Sequence, residues 1–436
     1  MRIPSVLLCI ISAALCAYSN GDESRNVKID FHGSGALEEG QIVKGEDGPD
    51  AHTIQHVWQE RMFFQLGAVA RINERTRIIL AVESRLAFSY PQQKLFFETQ
   101  VPTINLYPCE AQGVYSFGNI EEPYLQLAAG YMQLKYNSEA RNLGEYLFRS
   151  GCYPTFVIND FNFPLARLVG FRASSTLFHA LQQDLLLTSE ARMFPTQDFS
   201  VSYLLGYKIG NVLDIGGGVS FHHLLSVNES QTTPHQTTSQ PPNIISIDTA
   251  MHDTAWYTFR GTKLMGRLCF DPKALFQSSM FGKEDCKIYS EVAVLGVKNY
   301  PLSLMDSTVG YDNLMERVPI MFGVNLPVFK ILDFLSLEAE YWANKHANGY
   351  YSQEVENVPL PPAYGGGSDS TADSHWKWSV FGKKTMGKSG FACIAQVARD
   401  HMHMLNLRGD LRLHNTYDNL REKGDWYYAF RIEYGF

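Results

Sequence analysis

From Asp425 to the last residue, large hydrophobic side chains recur at every second position. Trp426, Tyr428, Phe430, Ile432, Tyr434 and Phe436 share one parity, and Asp425, Tyr427, Ala429, Arg431, Glu433 and Gly435 the other. Side chains on a β-strand point alternately to its two faces, so this stretch predicts a strand with one greasy face and one wet face. The same period returns upstream. Met62, Phe64, Leu66, Ala68 and Ala70 alternate with Arg61, Gln65 and Arg71. After a tight turn at Asn73-Glu74, Ile78, Leu80, Val82, Leu86 and Phe88 stand opposite Arg77, Glu83 and Arg85. That is a hairpin whose strands each keep their charges on a single face.

Further alternating stretches lie at about 27–38, 107–117, 123–136, 165–178, 184–194, 199–209, 213–225, 255–270, 286–297, 318–329, 335–341, 375–382 and 391–401. With the three above they make about sixteen strands. The connections near 40–57, 89–106, 137–163, 226–254, 298–317, 347–374 and 402–424 are long and all odd-numbered. The even-numbered ones are tight, 271–285 excepted. Transmembrane barrels have this asymmetry, with long extracellular loops and short periplasmic turns. It also justifies the fourth strand, whose own alternation is weak. The fold class expected is all-β: a transmembrane, antiparallel, up-and-down β-barrel.

Composition supports export. Residues 1–19 have a basic start at Arg2, an apolar run from Val6 to Ala17 and small residues at Ala17 and Ser19, the layout of a cleaved signal peptide. The barrel then occupies 20–436. No later run approaches the roughly twenty apolar residues of a spanning helix. Aromatic residues are 13% of the chain while charged ones are 19%, a balance that alternation between lipid and a polar lumen produces. Of seven cysteines, Cys109, Cys152, Cys269, Cys286 and Cys393 lie beyond the signal. In an oxidising compartment Cys269 and Cys286, which bracket one connection, are the candidate disulfide, with Cys109–Cys152 a looser pairing.

Motifs for other chemistry are isolated. Gly382 to Ser389 spells the phosphate-binding pattern G-x-x-x-x-G-K-S, but too little chain follows it for a nucleotide domain, so it reads as a hairpin turn. His401 with His403, and the His222-His223 pair, lack the third ligand of a metal site. No G-x-S-x-G elbow appears. Neither metal, cofactor nor catalytic residue is expected, and the chain is read as no enzyme. The candidate pore-lining residues are Arg61, Arg71, Arg77, Glu83, Arg85, Glu145, Arg149, Glu338, Glu340, Arg431 and Glu433. Such residues set the local field of a water-filled lumen. Trp426, Tyr428, Phe430, Tyr434 and Phe436 are the candidate anchors at the membrane interface.

The aromatic tail ending in Phe436 resembles the closing strand of Gram-negative outer-membrane barrels. The stretch Gln126 to Tyr136, followed by Glu145-Tyr146-Leu147-Phe148-Arg149 and then by Arg167 and Gly170, resembles sixteen-stranded general and phosphate-selective porins. There a strand ends, a loop enters the pore and the next strand begins. Mixed sign among the candidate lumen residues argues against phosphate. The resemblance implies an outer-membrane porin for passive diffusion of small hydrophilic solutes or ions. Its expected partners are outer-membrane lipids, the barrel-assembly machinery acting through the last strand, and two further copies in a homotrimer; nucleic acid is not among them. An outer-membrane barrel enzyme of lipase or protease type, or a structural or adhesive barrel, is the alternative.

The loop 137–163 carries the sharpest expectation. Ser138 as N-cap and Glu139 in the first turn predict two helical turns over Ala140–Phe148. Leu143, Leu147 and Phe148 are too apolar for free solution and should pack on the inner wall. Glu145 and Arg149 should pair on the exposed side, facing a basic wall of Arg61, Arg71, Arg77 and Arg85.

Overall fold

Alternation along the chain becomes a two-faced wall in three dimensions. A computed structural model of the protein describes residues 27–47, 52–90, 105–119, 122–150, 153–154, 166–177, 180–189, 199–225, 244–248, 254–257, 261–276, 279–297, 311, 313–344, 375–387, 390–402 and 419–435. Sixteen strands form the wall. They are β1 (Lys28–Asp47), β2 (Val57–Arg71), β3 (Thr76–Tyr90), β4 (Asn105–Gly118), β5 (Pro123–Leu134) and β6 (Ala166–Leu177). Then come β7 (Leu181–Ser189), β8 (Phe199–Ile209), β9 (Leu213–Leu225), β10 (Gly261–Phe270) and β11 (Ile288–Val294). The last are β12 (Ile320–Asn325), β13 (Phe334–Tyr341), β14 (Trp376–Thr385), β15 (Phe391–Arg399) and β16 (Trp426–Gly435).

Each strand pairs antiparallel with its neighbour in sequence, and β16 returns to β1 in register from Ser34↔Gly435 to Lys44↔Trp426. The sheet is therefore closed and has no free edge. Short turns gather at the rim where β2 ends and β16 finishes; the strand ends that flank the long connections lie at the other, as the parity of the sequence implies. Among the described residues no helix is long and apolar enough to cross a membrane.

The strand boundaries depart from expectation in a few places. β1 runs to Asp47 rather than Glu38, because it pairs on both sides along most of its length. The alternation near 255 belongs to a separate small hairpin, Ile244–Asp248 with Thr254–Tyr257, and β10 begins only at Gly261. β7 begins at Leu181, three residues before the expected Asp184, and its expected end near Phe194 lies outside the described residues.

Outward positions are mostly apolar, while the inward ones carry charged and polar groups together with one cluster of buried apolar side chains. Phe31 is 70% exposed and Phe322 52%, and Met62, Phe64, Leu66, Phe171, Leu185, Phe430 and Ile432 are exposed too. On β16, Tyr427, Ala429 and Arg431 face inward and are buried, while Trp426, Tyr428, Phe430, Ile432 and Tyr434 are more open, matching the two parities of the sequence. Phe436 lies outside the described residues. The thiols Cys269 and Cys286 are both free, so the expected bridge is not formed; Cys109 is free as well, and Cys152 is outside the described residues.

Candidate functional site

The lumen is organised by the chain that leaves β5. Residues 137–148 turn inward, and Asn137, Ala140, Asn142, Leu143, Glu145, Tyr146, Leu147 and Phe148 are all buried. Leu143, Tyr146, Leu147 and Phe148 join one cluster with Met132, Leu168, Leu186, Leu204, Met265 and Met321, which project from the inner wall. Tyr136 meets Phe148 edge to face at 5.8 Å. Burying side chains of this size contributes about 1.5–3 kcal/mol each.

The two helical turns expected over Ala140–Phe148 are absent. The backbone is irregular apart from one 3-10 turn, Tyr146–Phe148. Wall carboxylates take the N–H groups that a helix would have paired internally. Glu338 of β13 accepts Arg141 N at 2.6 Å, and Asn142 N and Leu143 N at 2.9 Å. Glu291 of β11 accepts Tyr146 N at 2.8 Å, Glu145 N at 3.0 Å, Asn137 Nδ2 at 2.8 Å and the Tyr136 hydroxyl at 2.5 Å. Gly144 at φ +95 and Glu145 at φ +61 aim successive N–H groups at that one carboxylate. Burial, with the Glu291 and Glu145 charges, holds the Tyr136 hydroxyl protonated, well above its ordinary range.

Further contacts fix the segment on either side. The Tyr146 hydroxyl donates to Glu340 at 2.7 Å, and so does His401 Nε2. Burial keeps His401 below its ordinary pKa and neutral, so this contact is a hydrogen bond rather than an ion pair. Asp400 accepts Asn142 Nδ2 at 2.6 Å and the Tyr427 hydroxyl at 2.7 Å. The tip reaches the connection between β10 and β11, on the short-turn rim. There Arg141 pairs with Glu284 at 3.2 Å, Lys287 bridges Glu139 at 3.0 Å and Glu284 at 2.8 Å, and the Arg141 guanidinium stacks 4.3 Å over Phe334.

The segment thus lies against an acidic wall, not the basic one expected. Arg61 is bonded to Glu38, which also holds Arg431. Arg71 pairs with Asp30 at 3.5 Å, Arg77 is exposed, and neither is shown in contact with the loop. Glu83 takes a two-pronged bond from Arg167 of β6, at 2.7 and 2.5 Å, fully out of solvent. Glu433 bridges Lys383 at 3.2 Å and Arg431 at 3.4 Å. Glu145 is buried and accepts Asn137 N at 2.7 Å instead of facing outward to Arg149. The side chains of Arg85 and Arg149 lie outside the described ones. Glu38, Glu284, Glu291 and Asp400 were missed in the sequence, although the inward parity of β1 and β11 marks Glu38 and Glu291.

No known family model matches the chain, and no curated protein is similar to it. Among solved structures, two mutants of the porin of Rhodopseudomonas blastica are similar over 94% of this chain and all of theirs, at 7% and 6% identity and TM-scores of 0.45 and 0.43. Salmonella typhi OmpF in complex with daunomycin is similar over 94% of this chain and 98% of its own, at 10% identity and a TM-score of 0.47.

Proposed function

We propose that the protein is a Gram-negative outer-membrane porin, a channel for passive diffusion of small hydrophilic solutes or ions, exported by its cleaved signal peptide. One observation carries the reading: a closed sixteen-strand ring, apolar outside and charged inside, holds residues of its own loop against its inner wall. An apolar exterior suits lipid, and inward charges suit a wetted passage. In this reading 137–163 narrows the pore, with Glu145, Glu338 and Glu340 seating the loop. Arg61, Arg71, Arg77, Glu83, Arg85, Arg149, Arg431 and Glu433 border the remaining lumen. Among the outward aromatics of β16, Tyr434 and Phe436 anchor the short-turn rim and Trp426 and Tyr428 the opposite one, the strand is presented to the assembly machinery, and three copies assemble as a homotrimer.

The test is electrical. The purified protein in a planar bilayer should open discrete channels. Replacing Ala140–Ile158 by a short Gly/Ser linker should enlarge the single-channel conductance severalfold. A conductance unchanged by that replacement, in a barrel still correctly assembled, overturns the role given to the loop. Failure of the intact protein to conduct overturns the channel itself.

A further inference from the structure

The short-turn rim is not uniform. Between β2 and β9 the exposed turn residues are polar or glycine: Asn73, Glu74 and Arg75, then Asn119 and Glu122, then Gly210 and Asn211, while the apolar Ile72, Ala180 and Val212 of these turns are only half-exposed. From β10 onward the rim changes character. The connection 271–287 exposes Leu275 at 60%, Phe276 at 67% and Met280 at 63%, and the connection 326–333 exposes Ile331 at 72%. Large apolar groups so open at the end of a barrel need a cover.

These groups are held in place rather than left loose. Phe329 at φ +51 and Lys330 at φ +65 both adopt the left-handed region, which a bulky side chain rarely enters. Buried Asp285 fixes that turn to its neighbour, accepting Phe329 N at 3.0 Å and Gly282 N at 2.9 Å. Phe281 stacks on Phe329 at 5.7 Å. Two adjoining connections are thus tied into one platform.

The platform sits below the lowest part of the wall. β11, β12 and β13 have 7, 6 and 8 residues, against 20, 15 and 15 in β1, β2 and β3. At about 3.4 Å per residue and a tilt near 40°, six or seven residues rise only ~16–18 Å, short of the apolar band of about 25 Å around such barrels. The strands that these connections join are apolar on their outward face as well, with Leu264, Leu268, Ile320 and Phe322 all exposed. Charge is sorted too. Asp271 is bound to Lys273, Glu284 to Lys287, and Asp333 to Thr385, whereas Lys283 stands exposed, and Lys330, exposed as well, rests its amino group on the carbonyl of Ser279 and on no carboxylate. Apolar side chains with amino groups around them fit a phospholipid surface, acyl chains beneath and anionic headgroups beside.

We propose that the β10–β13 arc of this rim docks onto a phospholipid leaflet carrying anionic headgroups, extending the membrane contact where the strands are short. This rests on the membrane reading above, and the experiment separates the two. The photoreactive substitution Phe276→p-benzoyl-phenylalanine is made in the full chain, and likewise at Phe322 on the outer wall and at Glu74 in a polar turn. Each protein is assembled in phosphatidylethanolamine vesicles with or without phosphatidylglycerol. Lipid adducts are expected at 276 and 322 and not at 74, and Lys283→Glu with Lys330→Glu should lower the phosphatidylglycerol adduct at 276 severalfold. Adducts at 322 without any at 276 overturn the docking and leave the membrane reading intact. Adducts at 276 joined to a second copy of the chain make the platform a subunit contact and overturn it as well. No adduct at 322 sinks the membrane reading and the docking together.

Discussion

Glu338 accepts the backbone N–H of Asn142 at 2.9 Å, joining residues 196 positions apart. The same oxygen takes Leu143 N, and its partner oxygen takes Arg141 N, so one carboxylate fixes three consecutive peptide groups. Glu338→Ala leaves three donors, two buried and one half-buried, without this acceptor. Hydrogen exchange of the amides at 141–146 is then expected to speed up at least ~10-fold, since each buried donor left unpaired costs about 1–3 kcal/mol. Exchange along β1–β3 should not change. Equal acceleration in both regions would mean that the carboxylate supports the whole barrel and not the loop.

Gly144 makes the second anchorage feasible. A Cβ there would lie 2.8 Å from Met321 Cε and 3.2 Å from Glu291 Oε2, at a φ of +95 that side chains disfavour. Gly144→Val is expected to unseat the segment at a cost of about 1–3 kcal/mol for the backbone alone. Limited proteolysis within 137–150 should rise while the barrel core stays resistant. Cleavage rates equal to the parent would refute this.

Those two anchorages mark how far the sequence could be read. Period-2 alternation gave the strands, the closing strand's faces and the long-short parity, because each is a local consequence of backbone geometry. Loop seating is not local. Glu291 and Glu338 meet residues 145 to 197 positions earlier, and nothing within Ala140–Phe148 announces that its N–H groups are taken by a distant wall. Capping rules applied to Ser138 therefore predicted a helix that the wall replaces. The basic wall failed for a related reason: Arg61 is occupied by Glu38 on the neighbouring strand, a match that depends on the β1–β2 register.

Arg167 and Glu83 form a pair from which water is excluded, their side chains 2% and 1% exposed. Arg167→Met strands a buried carboxylate and is expected to cost about 3–5 kcal/mol of unfolding free energy. Adding Glu83→Gln should restore most of that. Urea titration of barrels refolded into vesicles decides the matter; a double variant no better than the single one would show that the charges are not coupled.

The ion cluster at the loop tip has a defined pH window. Burial raises Glu284, but the Lys287 hydrogen bond and the Lys287 and Arg141 charges outweigh it and hold the carboxyl below its ordinary 4.5. Burial lowers Lys287, yet Glu284 and Glu139 keep it above 10.5. Stability from the acid partner is complete above 4.5 and lost as pH falls through the lower folded value. Stability from the amine is complete below 10.5 and lost as pH rises through the higher folded value. Spin labels at exposed Ser138 and Lys283 should hold one distance from about pH 5 to about pH 10 and broaden outside it. In Lys287→Met the alkaline broadening should vanish; its persistence would assign the transition to another group.

The seam between β1 and β16 carries a consequence for biogenesis. Ser34 pairs with Gly435, so the hydrogen-bonded circle needs both extremities of the chain at once. A ribosome delivers β1 first and β16 last, and until then β1 presents one row of unpaired peptide groups to any other extended chain. Pairing between such remote segments is also slow, because the loop entropy must be overcome before the contacts form. A chain of this design is therefore most vulnerable between the synthesis of β1 and the closure of the ring. Truncation by a single strand would remove more than one strand's worth of stability, since it leaves two open edges where the finished protein has none.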